Sequence, residues 1–288
     1  MQEFKVEEPG GLRTIQVPIT RIAPSKGWGS LDLRELWRYR ELLFFLAWRD
    51  VKVRYKQTLL GVAWAVLQPM LTMVIFSVIF GRLAGLPSEG VPYSLFSYAA
   101  LLPWQLFAGS LQRAGTSLVG SANLLTKVYF PRLIIPLAAV GAVVVDFGIA
   151  FVVFLGLMAW YRVLPTLAVL TLPFFVLLAL ATALAVSLWL SALNVQYRDV
   201  QYAIPFLVQA WMYASPVAYS AGLVPTGFWR IVYGLNPMAG VIQGFRWALL
   251  GTQPPDELMA VSVVMVLVLL VSGLFYFRRM EKTFADVV

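Results

Sequence analysis

Six long apolar runs, at roughly 59–80, 91–111, 133–160, 167–193, 202–219 and 258–277, constrain this chain more than any other feature. Each has the roughly 17–25 residues that a helix needs to cross a bilayer. In hydrocarbon every backbone polar group must be satisfied within its own segment, so runs of this kind are read as helices. Only 12% of the 288 residues are charged, against about 25% in soluble domains, and mean hydropathy is +0.78. One soluble domain per ~150 residues is therefore the wrong expectation. The chain reads as a polytopic membrane protein.

The cations set its orientation. A dense cluster, Arg49, Lys52, Arg54 and Lys56, passes directly into the first apolar run, and such side chains favour the cytoplasmic headgroups. With the N-terminus inside, only Arg82, Arg162, Arg230 and Arg246 of the 22 Lys/Arg fall in outer segments. Both termini are thus expected in the cytoplasm. A net charge of +8 would raise nucleic acid as a partner for a soluble protein; here topology accounts for it, and no nucleic-acid partner is expected.

The chain divides by composition into a cytoplasmic tail (1–29), an amphipathic helix with a basic linker (30–58), the six-span region (59–277, including an external segment 221–257) and a second cytoplasmic tail (278–288). Residues 1–29 mix charges with Pro9, Pro18 and Pro24 around a short alternation at Ile15, Val17 and Ile19, which reads as extended chain. From Ser30 to Val51 the period becomes helical. Leu33, Leu36, Trp37, Leu43, Phe44, Ala47, Trp48 and Val51 share one arc, Arg34, Glu35, Arg38, Glu41 and Arg49 the other, and Arg40 falls inside the apolar one. Ser30 or Asp32 can cap it. A helix of this kind lies in the membrane interface. In the external segment, Pro225, Gly234, Asn236-Pro237 and Gly251 leave two apolar pieces, 228–233 and 238–250, too short to span. They are expected to form a re-entrant or interfacial hairpin.

What is missing restricts the chemistry. Cysteine and histidine are absent, and there is no G-x-x-x-x-G-K-[ST] loop, Ser/His/Asp set or paired-carboxylate motif, so no catalytic, cofactor-binding or metal-binding residue is assigned. Energised work would need an ion gradient or another chain. Asp146 is the clear acid within a span, and an intramembrane acid points by default to function. Two roles stay open for it: a paired, structural carboxylate inside the bundle, or a direct part in transport.

A family resemblance rests on a series of motifs in order. Glu35-Leu36-Trp37-x-Tyr39-Arg40-Glu41-Leu42 is followed by Arg49-Asp50-Val51-Lys52-Val53-Arg54-Tyr55-Lys56-Gln57-Thr58, then Leu60-Gly61, Trp64 and Gln68-Pro69. Leu102-Pro103-Trp104, Asn123-Leu124-Leu125-Thr126-Lys127-Val128-Tyr129-Phe130-Pro131-Arg132, Ser215-Pro216-Val217 and Leu235-Asn236-Pro237-Met238 complete the series. From about Pro24 onward the chain resembles the permease subunits of type-2 ABC exporters, and more narrowly those of polysaccharides and lipid-linked glycans. The resemblance implies an all-α integral membrane protein: six transmembrane helices, an N-terminal amphipathic interface helix, two short external re-entrant helices before the last span, and both termini cytoplasmic in the inner membrane. It further implies a homodimer with two separate ATPase subunits that bind Mg-ATP, and a lipid-linked polysaccharide substrate, most specifically an O-antigen. Teichoic acid, capsule polymer or a small lipid or drug would suit the same architecture. A gradient-driven carrier and a membrane-embedded enzyme of glycan assembly are readings from other classes.

Within that resemblance, a coupling helix is expected at about 120–127. Candidate ATPase-coupling residues are Arg38, Arg49, Asp50, Lys52, Arg54, Asn123, Lys127, Phe130 and Arg132, though the cations serve equally as topology signals. Aromatic faces pack on sugar rings, which makes Trp64, Gln68, Thr72, Phe76 and Phe80, recurring every four residues in the first span, candidates for the substrate path. Tyr98, Trp104, Phe107, Trp211 and Tyr213 are further candidates. Ordinary interfacial belts use the same residues.

Overall fold

The computed structural model describes residues 2–8, 11–17, 33–56, 61–225 and 227–284. The chain forms two units, 1–32 and 33–288. In the first, β1 (Gln2–Glu8) pairs antiparallel with β2 (Gly11–Val17), in a register running from Gln2 opposite Val17 to Glu8 opposite Gly11. Ile15 and Val17 of the expected extended tail thus lie in a strand paired with β1. The proposed caps Ser30 and Asp32 lie outside the described residues, as do Gln57 to Leu60.

The second unit is all-helical among its described residues. It comprises α1 (Leu33–Arg38), α2 (Arg40–Lys56), α3 (Gly61–Phe76), α4 (Tyr93–Gly120), α5 (Ala122–Lys127), α6 (Ile134–Trp160), α7 (Leu172–Gln196), α8 (Val200–Ala214), α9 (Phe228–Gly234), α10 (Pro237–Leu250) and α11 (Leu258–Glu281). A π-helical turn, Ser77–Leu83, extends α3, and a 3-10 turn, Leu167–Thr171, leads into α7. Pro69, Pro103 and Pro205 sit inside α3, α4 and α8, each removing one backbone donor from its helix.

Four helical stretches among the described residues are long and apolar enough to cross a membrane: Ala63–Leu83, Ile134–Trp160, Leu167–Gln196 and Met259–Glu281. The other two expected runs differ for separate reasons. At 28 residues α4 has the length, but Ser94, Ser97, Gln105, Ser110, Gln112 and Arg113 make it more polar. With 15 residues, α8 reaches only about 22 Å before the chain leaves the helix at Ser215.

The polarity of α4 follows from its position at the centre. Leu95 to Trp104 are all buried, and α4 packs on α3, α6, α7, α8 and α10. The core around it is aromatic: Tyr98 stacks on Phe154 at 5.8 Å, Phe107 meets Trp211 edge-on at 5.0 Å, and Phe147 meets Phe245 at 6.2 Å. Close approach is built with a glycine, since a Cβ on Gly244 of α10 would stand 2.0 Å from the Phe175 ring. The two short helices expected between the last runs are α9 and α10. Unlike a peripheral cap, α10 is buried along most of its length against α4, α7 and α11.

Candidate functional site

Two polar clusters interrupt this apolar bundle. Their anchor points on α4, Phe96 and Arg113, are 17 residues apart, or about 25 Å along the helix.

The first gathers around Asp146, near the middle of α6. Its carboxylate accepts short hydrogen bonds from the Arg54 guanidinium and the Tyr55 hydroxyl, both in the last turn of α2. Arg113 of α4 approaches within 3.7 Å. Burial, followed by the Asp146 hydrogen bond, raises the Tyr55 phenol above its ordinary pKa, so it serves as a donor throughout the neutral range. Three helices thus meet at one carboxylate, as expected of a costly intramembrane charge that must be paired. Of the two roles left open for Asp146, pairing inside the bundle is the one that the geometry displays.

The same cluster shows how α2 is held. Its apolar arc is shared between two environments. Val51 is buried, and Leu36, Leu43 and Ala47 pack with the buried Leu46 just beside the arc, whereas Trp37, Phe44 and Trp48 face outward. Phe44 and Trp48 stack at 6.4 Å, Arg40 lies over Trp37 at 5.4 Å and Lys52 over Trp48 at 5.8 Å. One side of the helix therefore packs on α6, and its aromatic-cationic side is exposed. The helix also runs on through the basic cluster to Lys56, after a break at Tyr39.

Nearby, α5 fills most of the coupling segment expected at 120–127. Asn123, Lys127, Val128 and Tyr129 are exposed at its tip, while Leu125 and Phe130 are buried. Those two side chains share one apolar cluster with Leu46 of α2, Leu118 of α4, Phe277 of α11 and Phe284. Arg132 clips this loop to α11: its backbone N–H donates to Glu281 Oε1 at 3.1 Å and its guanidinium to the Glu281 carbonyl. Arg38 and Lys52 are exposed, and Arg49 pairs with Asp50 at 2.8 Å.

The second cluster unites two motifs that are distant in sequence, Ser215-Pro216-Val217 and Asn236-Pro237. Asn236 caps α10 and uses its whole amide. Oδ1 accepts from Met238 N–H at 3.1 Å and Trp211 Nε1 at 2.9 Å, and Nδ2 donates to the Ala214 carbonyl at 3.1 Å and Ser215 Oγ at 2.9 Å. Ten residues on, the buried Arg246 donates to the carbonyls of Phe96 (3.1 Å), Tyr219 (3.0 Å) and Val217 (2.8 Å) and lies 3.5 Å over the Phe96 ring. Burial pulls this guanidinium below its ordinary pKa and the nearby Glu89 opposes the shift; its acceptors favour the charged form. The Tyr93 hydroxyl donates to the Ala218 carbonyl and the Ser220 hydroxyl to Glu89, closing the arrangement. Sequence reading counted Arg246 only as an outer cation. The available signal was a lone arginine between Phe245 and Trp247 in an apolar segment.

The path candidates separate by burial. Trp64, Gln68 and Tyr213 are exposed, Thr72, Phe80 and Trp211 partly buried, and Phe76, Tyr98, Trp104 and Phe107 buried in this conformation. Thr72 Oγ1 donates to the Gln68 carbonyl at 2.9 Å, so its polar partner is its own helix. Phe76 and Phe80 meet edge-on at 5.4 Å. The stripe therefore starts on the exposed side of α3 and reaches the core at Phe76, with Phe80 partly buried beside it.

Four apolar helices long enough to cross a membrane, with α2 tied to α6 and α5 packed on the same bundle, define a multi-pass membrane protein. The ABC-2 type transporter family profile matches residues 41–250, and the chain belongs to that family. It is 32% identical over 254 residues to the O-antigen export system permease protein RfbA of Myxococcus xanthus, covering 86% of this chain and 96% of that protein. A Klebsiella pneumoniae protein of the same name is 28% identical, covering 86% and 95%. The inner membrane transport permease YadH of Escherichia coli K12 is 25% identical, covering 69% and 81%.

Proposed function

We propose that this chain is the permease of an ATP-driven exporter that moves lipid-linked polysaccharide, specifically O-antigen, across the inner membrane. The observation that carries this is the single apolar cluster in which Leu46 of the surface helix, Leu125 and Phe130 of the α5 loop and Phe277 of α11 are packed together. A push on the exposed α5 tip is transmitted by contact to α2 and to the bundle. The names and coverage of the relatives supply the substrate class.

In this reading two copies of the chain pair, and each α5 tip docks on a separate ATPase subunit that binds Mg-ATP. Six helices span, α4 and α8 among them, with α9 and α10 re-entrant from the outer side and both termini in the cytoplasm. Asn123 and Lys127 meet the ATPase, Phe130 and Arg132 pass its motion inward, and the exposed residues of α3 and α8, Trp64, Gln68 and Tyr213, face the glycan. Deleting the gene tests the proposal: lipid-linked O-antigen is expected to accumulate on the cytoplasmic side. Unchanged surface O-antigen in the deletion strain would overturn it.

A further inference from the structure

Around Asp146 there is more cationic capacity than the carboxylates use. The space between α2, α4 and α6 is a cleft of about 540 Å³. Its lining carries Arg49, Arg54 and Arg113 against Asp50, and Asp146, which stands beside the cleft, pairs with Arg54, so the group has an excess of one positive charge. Arg49 is engaged by Asp50, and Arg54 is bonded to Asp146. Arg113 is the surplus cation: among the described residues its one polar contact is the 3.7 Å approach to Asp146, well beyond a hydrogen bond. About a third of its side chain remains accessible.

Another wall is apolar. Leu46 of α2 joins Ile135, Ala138, Ala139 and Ala142, spaced about a helical turn apart on α6, while Thr116, Ser117 and Ser121 line the cleft from the C-terminal end of α4. A soluble anion would have no use for that wall, and an uncharged acyl chain none for three guanidiniums. An amphiphile with a phosphate at its head uses both, since guanidinium pairs with phosphate in bidentate, charge-assisted bonds.

We propose that this cleft receives the phosphate or diphosphate headgroup of a lipid, with Arg113 as its cationic partner and the alanine face of α6 beside its first methylenes. Two lipids share this chemistry: an anionic phospholipid of the bilayer and the polyprenyl diphosphate that would carry the exported glycan. Naming the second rests on the proposed function; the phosphate site does not.

The full-length chain is reconstituted in nanodiscs of zwitterionic lipid containing a trace of either phosphatidylglycerol or a polyprenyl diphosphate, and retained lipid is quantified by native mass spectrometry. Wild-type protein is expected to retain an anionic lipid, and Arg113→Gln to lower that affinity by about ten-fold or more, with Arg113→Lys intermediate. Arginine-dependent retention of either lipid supports the inference, and selectivity for the diphosphate identifies the carrier. Wild-type protein that takes zwitterionic and anionic lipids equally would overturn it without any variant. So would Arg113→Gln that unfolds at the wild-type temperature and binds as well. Because binding is read without transport, failure here leaves the export reading standing, and normal O-antigen in a deletion strain would leave this site standing.

Discussion

The α10 bracket and the α2 cleft are both polar clusters in an apolar bundle, yet they are finished to different degrees. In the bracket Asn236 fills all four of its hydrogen-bonding positions and Arg246 spends its guanidinium on three carbonyls and a ring. In the cleft a largely buried carboxylate accepts from Arg54 and Tyr55, and Arg113 stands 3.7 Å away as a cation to spare. A saturated network has one arrangement and fixes the elements that it joins. An unsaturated one beside open space can exchange partners. One end of the bundle is therefore built to stay, and the other, where the surface helix and the loop helix meet the spans, is built to be moved or filled.

The largest effect is expected where the network is saturated. Arg246→Ala strips partners from the buried carbonyls of Phe96, Val217 and Tyr219 at once, and each orphaned group costs about 1–3 kcal/mol. A loss of at least about 3 kcal/mol is expected, seen as loss of the monodisperse protein on size-exclusion chromatography or a large fall in unfolding temperature. A variant that stays as stable as wild type would break the contrast between the two ends.

Asp146→Asn comes next and should behave differently. The amide can still accept from Tyr55, but Arg54 and Arg113 lose their counter-charge, at a cost of about 1–2 kcal/mol. The protein is expected to insert and remain folded while export of glycan, followed on cell-surface blots, falls sharply because α2 is no longer fastened to α6. Wild-type export with a large loss of folded protein would make the cleft a second bracket.

How far each cluster was legible in the sequence follows the same line. Asp146 was visible as a charge in an apolar run, and the two short helices as apolar pieces cut by Pro and Gly. Its partners Arg54 and Tyr55 were not legible, because they lie 92 and 91 residues away and nothing local marks a long-range pair. Arg246 was hidden by its usefulness to the charge count, where an outer arginine looks like any other. The aromatic arc of α2 was legible as apolar, but periodicity does not distinguish a face packed on α6 from one left for lipid. The core positions of Tyr98, Trp104 and Phe107 were hidden likewise, since composition alone does not separate a ring that packs from a ring that lines a surface.

The smallest change sharpens the comparison most. Tyr55→Phe removes one hydroxyl from the cleft and leaves both arginines with Asp146, for an expected cost of about 1 kcal/mol. Its pH dependence has a definite sign. Folding raises the Tyr55 pKa through burial and through its hydrogen bond to Asp146, so the hydroxyl's contribution is fully present below the unfolded value of about 10 and is lost as pH rises beyond it. Wild type and Tyr55→Phe should therefore differ by a constant amount between neutral pH and about pH 9, and converge at more alkaline pH. The two can be followed by Trp fluorescence during thermal unfolding in detergent. A difference that varied between pH 6 and 8 would show that some other group governs how α2 is held, and would move the adaptable end of the bundle away from this carboxylate.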